Sequence, residues 1–123
     1  MNSRDIDVLK HITRFCNEIK EARERFGDSL DSLKADVHYK NAVAMGIMQI
    51  GELTTRLTDD FKLEYNGMPW QDIKGMRNIA AHHYGKLDVQ KLWETISSDI
   101  PDLHTYCEET LQSVGVTEIG EEN

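Results

Sequence analysis

Val8, Leu9, Ile12, Phe15, Cys16 and Ile19, followed by Ala22 and Phe26, recur at helical spacing with charged residues between them. That is the period of a helix that buries one face. Ser3 stands where an N-cap belongs, and Gly27-Asp28-Ser29 breaks the pattern. A second pattern covers residues 37 to 57, and its middle, Ala42 to Leu53, is apolar on nearly every side. It predicts a helix central to a bundle, or one shared between a core and a subunit interface. Gly46 and Gly51 on it permit close backbone approach.

Thr58-Asp59-Asp60 opens a polar connector that closes at Asn66-Gly67-Met68-Pro69, with the proline suited to a first helical position. The third predicted helix turns Trp70, Ile73, Met76 and Ala80 to the core and stops at Gly85. Asp88 caps a fourth, with Val89, Leu92, Trp93, Ile96 and Ile100 on its apolar face, and Pro101 kinks or restarts it. Leu103, Tyr106, Cys107 and Leu111 continue a short last helix. No segment alternates as a strand does, and nothing repeats. The pattern predicts an all-α fold, a four- to five-helix up-and-down bundle, with one domain over 1–112 and an acidic C-terminal tail over 113–123.

Composition narrows the function classes. The 123 residues suit one domain. The N-terminus lacks a basic segment followed by an apolar run, and no stretch approaches the roughly 20 apolar residues of a membrane span, so a cytoplasmic protein without membrane contact is expected. Cys16 and Cys107, without CxxC or CxxH spacing, read as buried thiols in a reducing compartment. His11, His38 and His104 lack metal-ligand spacing and read as surface residues; no metal and no cofactor are expected.

The net charge of −8 argues against a broad footprint for nucleic acid. However, residues 101–123 hold six acids and no Lys or Arg, which leaves 16 acids against 14 bases over residues 1–100, a net of −2. Any RNA is therefore expected to be engaged at one small site.

The candidate chemistry lies in Met76-Arg77-Asn78-Ile79-Ala80-Ala81-His82-His83-Tyr84-Gly85. Arginine is a permanent forked donor for phosphate oxygens, and histidine moves a proton near neutral pH. On a straight helix with Arg77 at 0°, Asn78 falls at about 100°, His82 at about 140° and Tyr84 at about 340°, while Ile73, Met76 and Ala80 span about 260° to 320°. Arg77 and His82 then do not converge. Either the helix ends or distorts near His82, or a second protomer brings its own pair across a groove. Gln71, Asn78 and His82, with Gly75 among them, form a polar stripe that is either plain surface or the wall of such a groove. Glu52 is either a charge partner for Arg77 or part of a solvated helix end. His83, at about 240°, reads as a packed histidine yet leaves open which histidine acts. Tyr84 by itself reads as a helix-end aromatic that packs its ring.

Arg77-x4-His82 followed by Tyr84, set behind Ile50-Gly51-Glu52-Leu53 and Met68-Pro69-Trp70 and ahead of Leu87-Asp88 and Ile100-Pro101, resembles the HepT-like ribonuclease toxins of the HEPN superfamily. The resemblance implies a homodimeric, metal-independent endoribonuclease acting on tRNA or mRNA, the toxin of a type VII-like pair whose partner is a cognate minimal nucleotidyltransferase antitoxin. It makes Arg77 and His82 the catalytic pair, Asn78, His83 and Glu52 supporting residues, and Tyr84 the position that receives AMP. Two departures stand out: His83 occupies a position where many relatives carry an acidic or small residue, and Gly85 follows the tyrosine where an aromatic is frequent. The competing readings are a non-catalytic helical partner of a nucleotidyltransferase that binds nucleotide or RNA, and a purely structural dimer.

Overall fold

A computed structural model of the chain describes residues 1–78 and 88–116, so His82, His83 and Tyr84 lie outside the described residues. Helix α1 spans Ser3–Phe26. Its cap is Asn2 rather than Ser3: Asn2 Oδ1 accepts the Asp5 N–H at 2.8 Å, which leaves Ser3 in the first turn. The helix stops at Gly27, whose φ of 115° is open to a residue without a Cβ. A six-residue helix, α2 (Leu30–Ala35), follows behind a Ser29 cap and buries Leu33; it is too short to show a period in sequence. Helix α3 is Val37–Thr54, capped by Asp36.

The expected polar connector after α3 contains a helix, α4 (Asp59–Glu64), because Thr58 Oγ1 accepts the Phe61 N–H and Phe61 is apolar enough to be buried. Helix α5 is Trp70–Gly75, with Pro69 at the cap rather than inside the first turn. The expected third helix does not run unbroken to Gly85. The chain turns at Met76, whose N–H bonds Ile73 O at 3.0 Å in a tightened last turn, and helical geometry resumes at Arg77 and Asn78.

Residues 89–113 form one continuous rod where two helices were expected. Helix α6 (Val89–Glu94) passes through a π-helical turn (Thr95–Asp99) into α7 (Ile100–Ser113). The cause is Pro101, which has no N–H and whose ring crowds the preceding turn. The wider turn lets the Ile100 N–H reach Thr95 O, five residues back. In that register Ile96 O has no donor at Pro101, and Arg23 Nη1 from α1 supplies one at 3.2 Å. Arg23 also bonds Asp28 through Nε at 2.9 Å and stacks on Trp93.

The last helix closes on Gly115 at φ 88°: the Gly115 N–H bonds Gln112 O and the Val116 N–H bonds Leu111 O, with Val116 packed on the core. This paired bonding satisfies the terminal carbonyls.

Helix α1 lies between α3 and α7. Asp5, near its start, holds Thr58 just past the end of α3, and Arg23, near its end, holds Ile96 upstream of α7, so α1 is antiparallel to both. The architecture is the all-α bundle expected. Leu9, Ile12, Ile47, Ile50, Leu103 and Leu111 are wholly or almost wholly buried where the three meet. Cys16 and Cys107 are free thiols in the same seam. Burial pushes the Cys107 thiol up to about 12 and raises that of Cys16 well above its usual range, with Cys107 and Glu108 adding to the latter. Helix α3 buries nine of its 18 residues, and Ala42, Met45 and Glu52 are among those that lie open.

Candidate active site

Two anchors fix the short helix that delivers Arg77. The first is aromatic. Trp70 Nε1 donates to Tyr65 O at 2.7 Å, its ring packs against Phe61 and meets Tyr106 edge-on, and the Tyr106 hydroxyl accepts the Gly67 N–H at 3.2 Å. A Cβ at Gly67 would stand 2.6 Å from the Tyr106 ring, so the turn before α5 sits directly on α7. The second anchor lies at the other end of α5. A Cβ at Gly51 would come within 2.6 Å of Arg77 N and 2.9 Å of Arg77 Cβ. The backbone of Arg77 therefore rests in a notch of α3 that only glycine leaves open.

That contact places the Arg77 side chain beside the next residue of α3. Arg77 Nη1 donates to Glu52 Oε1 at 3.1 Å, with 40% and 49% of the two side chains exposed. The alternative that left Glu52 as a solvated helix end is thereby decided: it is the charge partner of Arg77. The bond is single, and among the described residues Arg77 makes no other side-chain hydrogen bond, which leaves its remaining donors uncommitted to any of them. Such a half-exposed pair is worth about 0–1 kcal/mol, weak enough for a phosphate to compete. Asn78 follows, exposed, with no side-chain bond among the described residues.

The polar stripe expected on this helix is divided. Gln71 and Gly75 line a groove of about 530 Å³ between α5 and residues 91–102, with Met76 at its inner end. Arg77 turns instead to α3. The break at Met76 resets the helical phase between the two; the distortion expected near His82 falls outside the described residues. His82, His83 and Tyr84 fall outside the described residues, and so does their geometry toward Arg77. Among the described residues no group of three or more His, Cys, Asp or Glu is arranged to hold a metal ion.

Other polar positions were not foreseen. Asp5 is 2% exposed and accepts from both the backbone N–H and the hydroxyl of Thr58, at 2.9 and 2.7 Å, which ties the start of α1 to the end of α3. A lone Asp in a first helical turn reads as dipole complement; only the partner 53 residues away explains its burial. His104 is not a surface residue: its side chain is 16% exposed, with Nε2 3.5 Å from Glu108 Oε2. Burial lowers its pKa below the ordinary value of 6.5, opposed by Glu108 and reinforced by Lys20. His11 and His38 are exposed as expected.

Among the described residues no helix is long and apolar enough to cross a membrane. Residues 12–110 match the family described as Ribonuclease HepT-like. A protein of Caldanaerobacter subterraneus subsp. tengcongensis, named as a candidate RNase, is 31% identical over 104 residues, covering 85% of this chain and 91% of that protein. A protein of Thermococcus cleftensis named "Probable ribonuclease HepT" is 37% identical over 97 residues, covering 79% of this chain and 86% of that one. No solved structure matches the chain.

Proposed function

The chain belongs to the HepT-like ribonuclease family, and from that premise we propose that it is a HEPN ribonuclease toxin, a metal-independent endoribonuclease acting on tRNA or mRNA. The observation that carries the reading is the seat of Arg77: a glycine notch in α3 fixes its backbone, and one carboxylate, that of Glu52, holds its part-exposed guanidinium through a single bond. Arg77 is the electrostatic half of the site. It receives the phosphoryl oxygens and stabilises the charge that builds on them.

His82 is the proton-transfer half. It accepts the 2′-hydroxyl proton or gives one to the departing 5′-oxygen. The 2′-oxygen bonds to phosphorus as the P–O5′ bond breaks, leaving a 2′,3′-cyclic phosphate and a 5′-hydroxyl. Asn78 and His83 support the site as further polar groups, and Glu52 orients Arg77. A homodimer supplies two Arg77–His82 sets to one cleft, in line with the wheel argument that the two residues do not converge on one straight helix. The chain acts in the cytoplasm, as one member of a type VII-like pair. The cognate minimal nucleotidyltransferase antitoxin neutralises it by transferring AMP to Tyr84: the phenol oxygen bonds to the α-phosphorus of ATP, pyrophosphate leaves, and the phenol proton passes to solvent. The added negative charge competes with RNA for Arg77.

The test is cleavage of a tRNA pool in the presence of EDTA. Wild type is expected to cut and to leave cyclic-phosphate ends, and Arg77→Ala and His82→Ala to lose about a hundredfold or more. Equal inertness of wild type and both variants, with RNA or the nucleotidyltransferase still bound, would make the chain a non-catalytic partner instead.

A further inference from the structure

The groove on the far side of α5 from α3 has a composition the ribonuclease reading does not use. Met68, Ile73 and Met76 give it an apolar floor, and Asp72, Asp99 and Asp102 stand around it, with Lys91 the one base of its lining among the described residues. All three carboxylates are exposed, and none makes a hydrogen bond or ion pair among the described residues. Thr95, Asp99 and Asp102 line it from the π turn and the start of α7, so the wall that carries two of the acids is the stretch widened by Pro101. Its volume of about 530 Å³ lies within the range of small-ligand and side-chain clefts. The groove is also open where Gly75 lines it: a Cβ there would meet nothing within 4 Å.

An apolar floor under unpaired carboxylates suits a side chain with a methylene stem and a cationic head. We propose that this groove docks a basic segment of a protein partner, with Lys or Arg stems on Met68, Ile73 and Met76 and their heads among Asp72, Asp99 and Asp102. Charge complementarity carries the choice: among the described residues three acids against one base favour a basic occupant over an acidic peptide or a nucleic-acid backbone. The floor requires apolar contact as well as charge. An occupied groove also bears on Gly75 and Met76, the joint immediately before Arg77, so a docked segment reports to the α3 side through one turn of chain. The inference does not depend on the ribonuclease reading, and its test reads binding rather than cleavage.

The probe is a short fluorescein-labelled peptide alternating arginine and leucine, followed by anisotropy and by backbone amide shifts of the full chain. Saturable binding with shifts centred on Gln71, Gly75 and Thr95 is expected. The double substitution Asp99→Asn/Asp102→Asn should weaken it about tenfold, and Gly75→Trp, which fills the open space, should abolish it. Glu18→Gln/Glu21→Gln removes the same charge from α1 and should leave binding unchanged. Equal weakening by both double variants would overturn the proposal, since attraction would then be to the overall field. Absence of saturable binding would also overturn it. So would spermine reproducing the shifts and displacing the peptide at matched concentration, which would make the groove a polyamine site.

Discussion

Arg77 and Glu52, 25 residues apart in the chain, meet at 3.1 Å because the residue between Ile50 and Glu52 has no side chain. The backbone of Arg77 occupies the space a Cβ at position 51 would take. Contact and ion pair therefore form together, and a substitution at either residue is read at the other.

Gly51→Ala sets a methyl 2.6 Å from Arg77 N, so α3 and the chain at Arg77 must separate. A loss of about 1–3 kcal/mol in urea unfolding is expected, as for other overpacked sites, with RNA cleavage falling further than the lost folded fraction accounts for. Gly75→Ala is the contrasting case. Its Cβ meets nothing within 4 Å in a helical position, and a gain of about 0.5–1 kcal/mol is expected.

Glu52→Gln keeps an oxygen for the Arg77 N–H and removes the competing charge. Its expected signature is a KM for RNA lowered several-fold, most clearly at low salt where exposed charges are least screened, with kcat nearly kept. Glu52→Ala releases the guanidinium altogether and should lower kcat by about fivefold, equivalent to the roughly 1 kcal/mol such a bond contributes. Steady-state kinetics on a defined oligoribonucleotide separates the two. Identical behaviour of both variants would show that Glu52 acts by charge alone.

The lowered pKa of His104 has a stability consequence of definite sign. Burial lowers the folded value below 6.5, so between the two values the unfolded chain binds the extra proton. Stability from the neutral, buried ring is complete above about pH 6.5 and is lost as the pH falls through the folded pKa. Urea unfolding of wild type and His104→Gln, compared from pH 7.5 to 5, should show the wild type losing more over that window. Parallel curves would deny the ring any such role.

Much of the seat of Arg77 is legible before folding. The two glycines of α3 stand in an otherwise apolar run, which marks close approach, and Glu52 follows the second. The break at Met76 is not legible, because Trp70, Ile73, Met76 and Ala80 keep a helical period across it and the joint is imposed by contact with α3. Asp5 is equally hidden, since its partner Thr58 is distant and looks like part of a loop. The π turn had a signal in Pro101, yet a proline announces only that something must give. Whether the rod bends, breaks or widens is decided by which neighbour satisfies the freed carbonyl, and that neighbour is Arg23.

The Arg23 contact can be measured against its cause. Arg23→Met removes the donor to Ile96 O and the bond to Asp28 and is expected to cost about 1–2 kcal/mol. In a Pro101→Ala background, the alanine N–H can meet the freed carbonyl, and the cost should shrink. Additive losses across the double-mutant cycle would mean that Arg23 contributes through Asp28 and Trp93 and not through the π turn.

The notches at Gly46 and Gly51 seat different neighbours, Ile19 of α1 and the backbone of Arg77. Five residues apart, they point about 140° away from each other around α3. Two such cuts act as a key: they set the rotation of the rod and its height at once. One alanine inserted between them would turn one cut by about 100° relative to the other, and the helix would have to abandon either its core partner or the arginine. The position of the guanidinium is thus geared to the packing of the bundle, through the count of residues between two glycines.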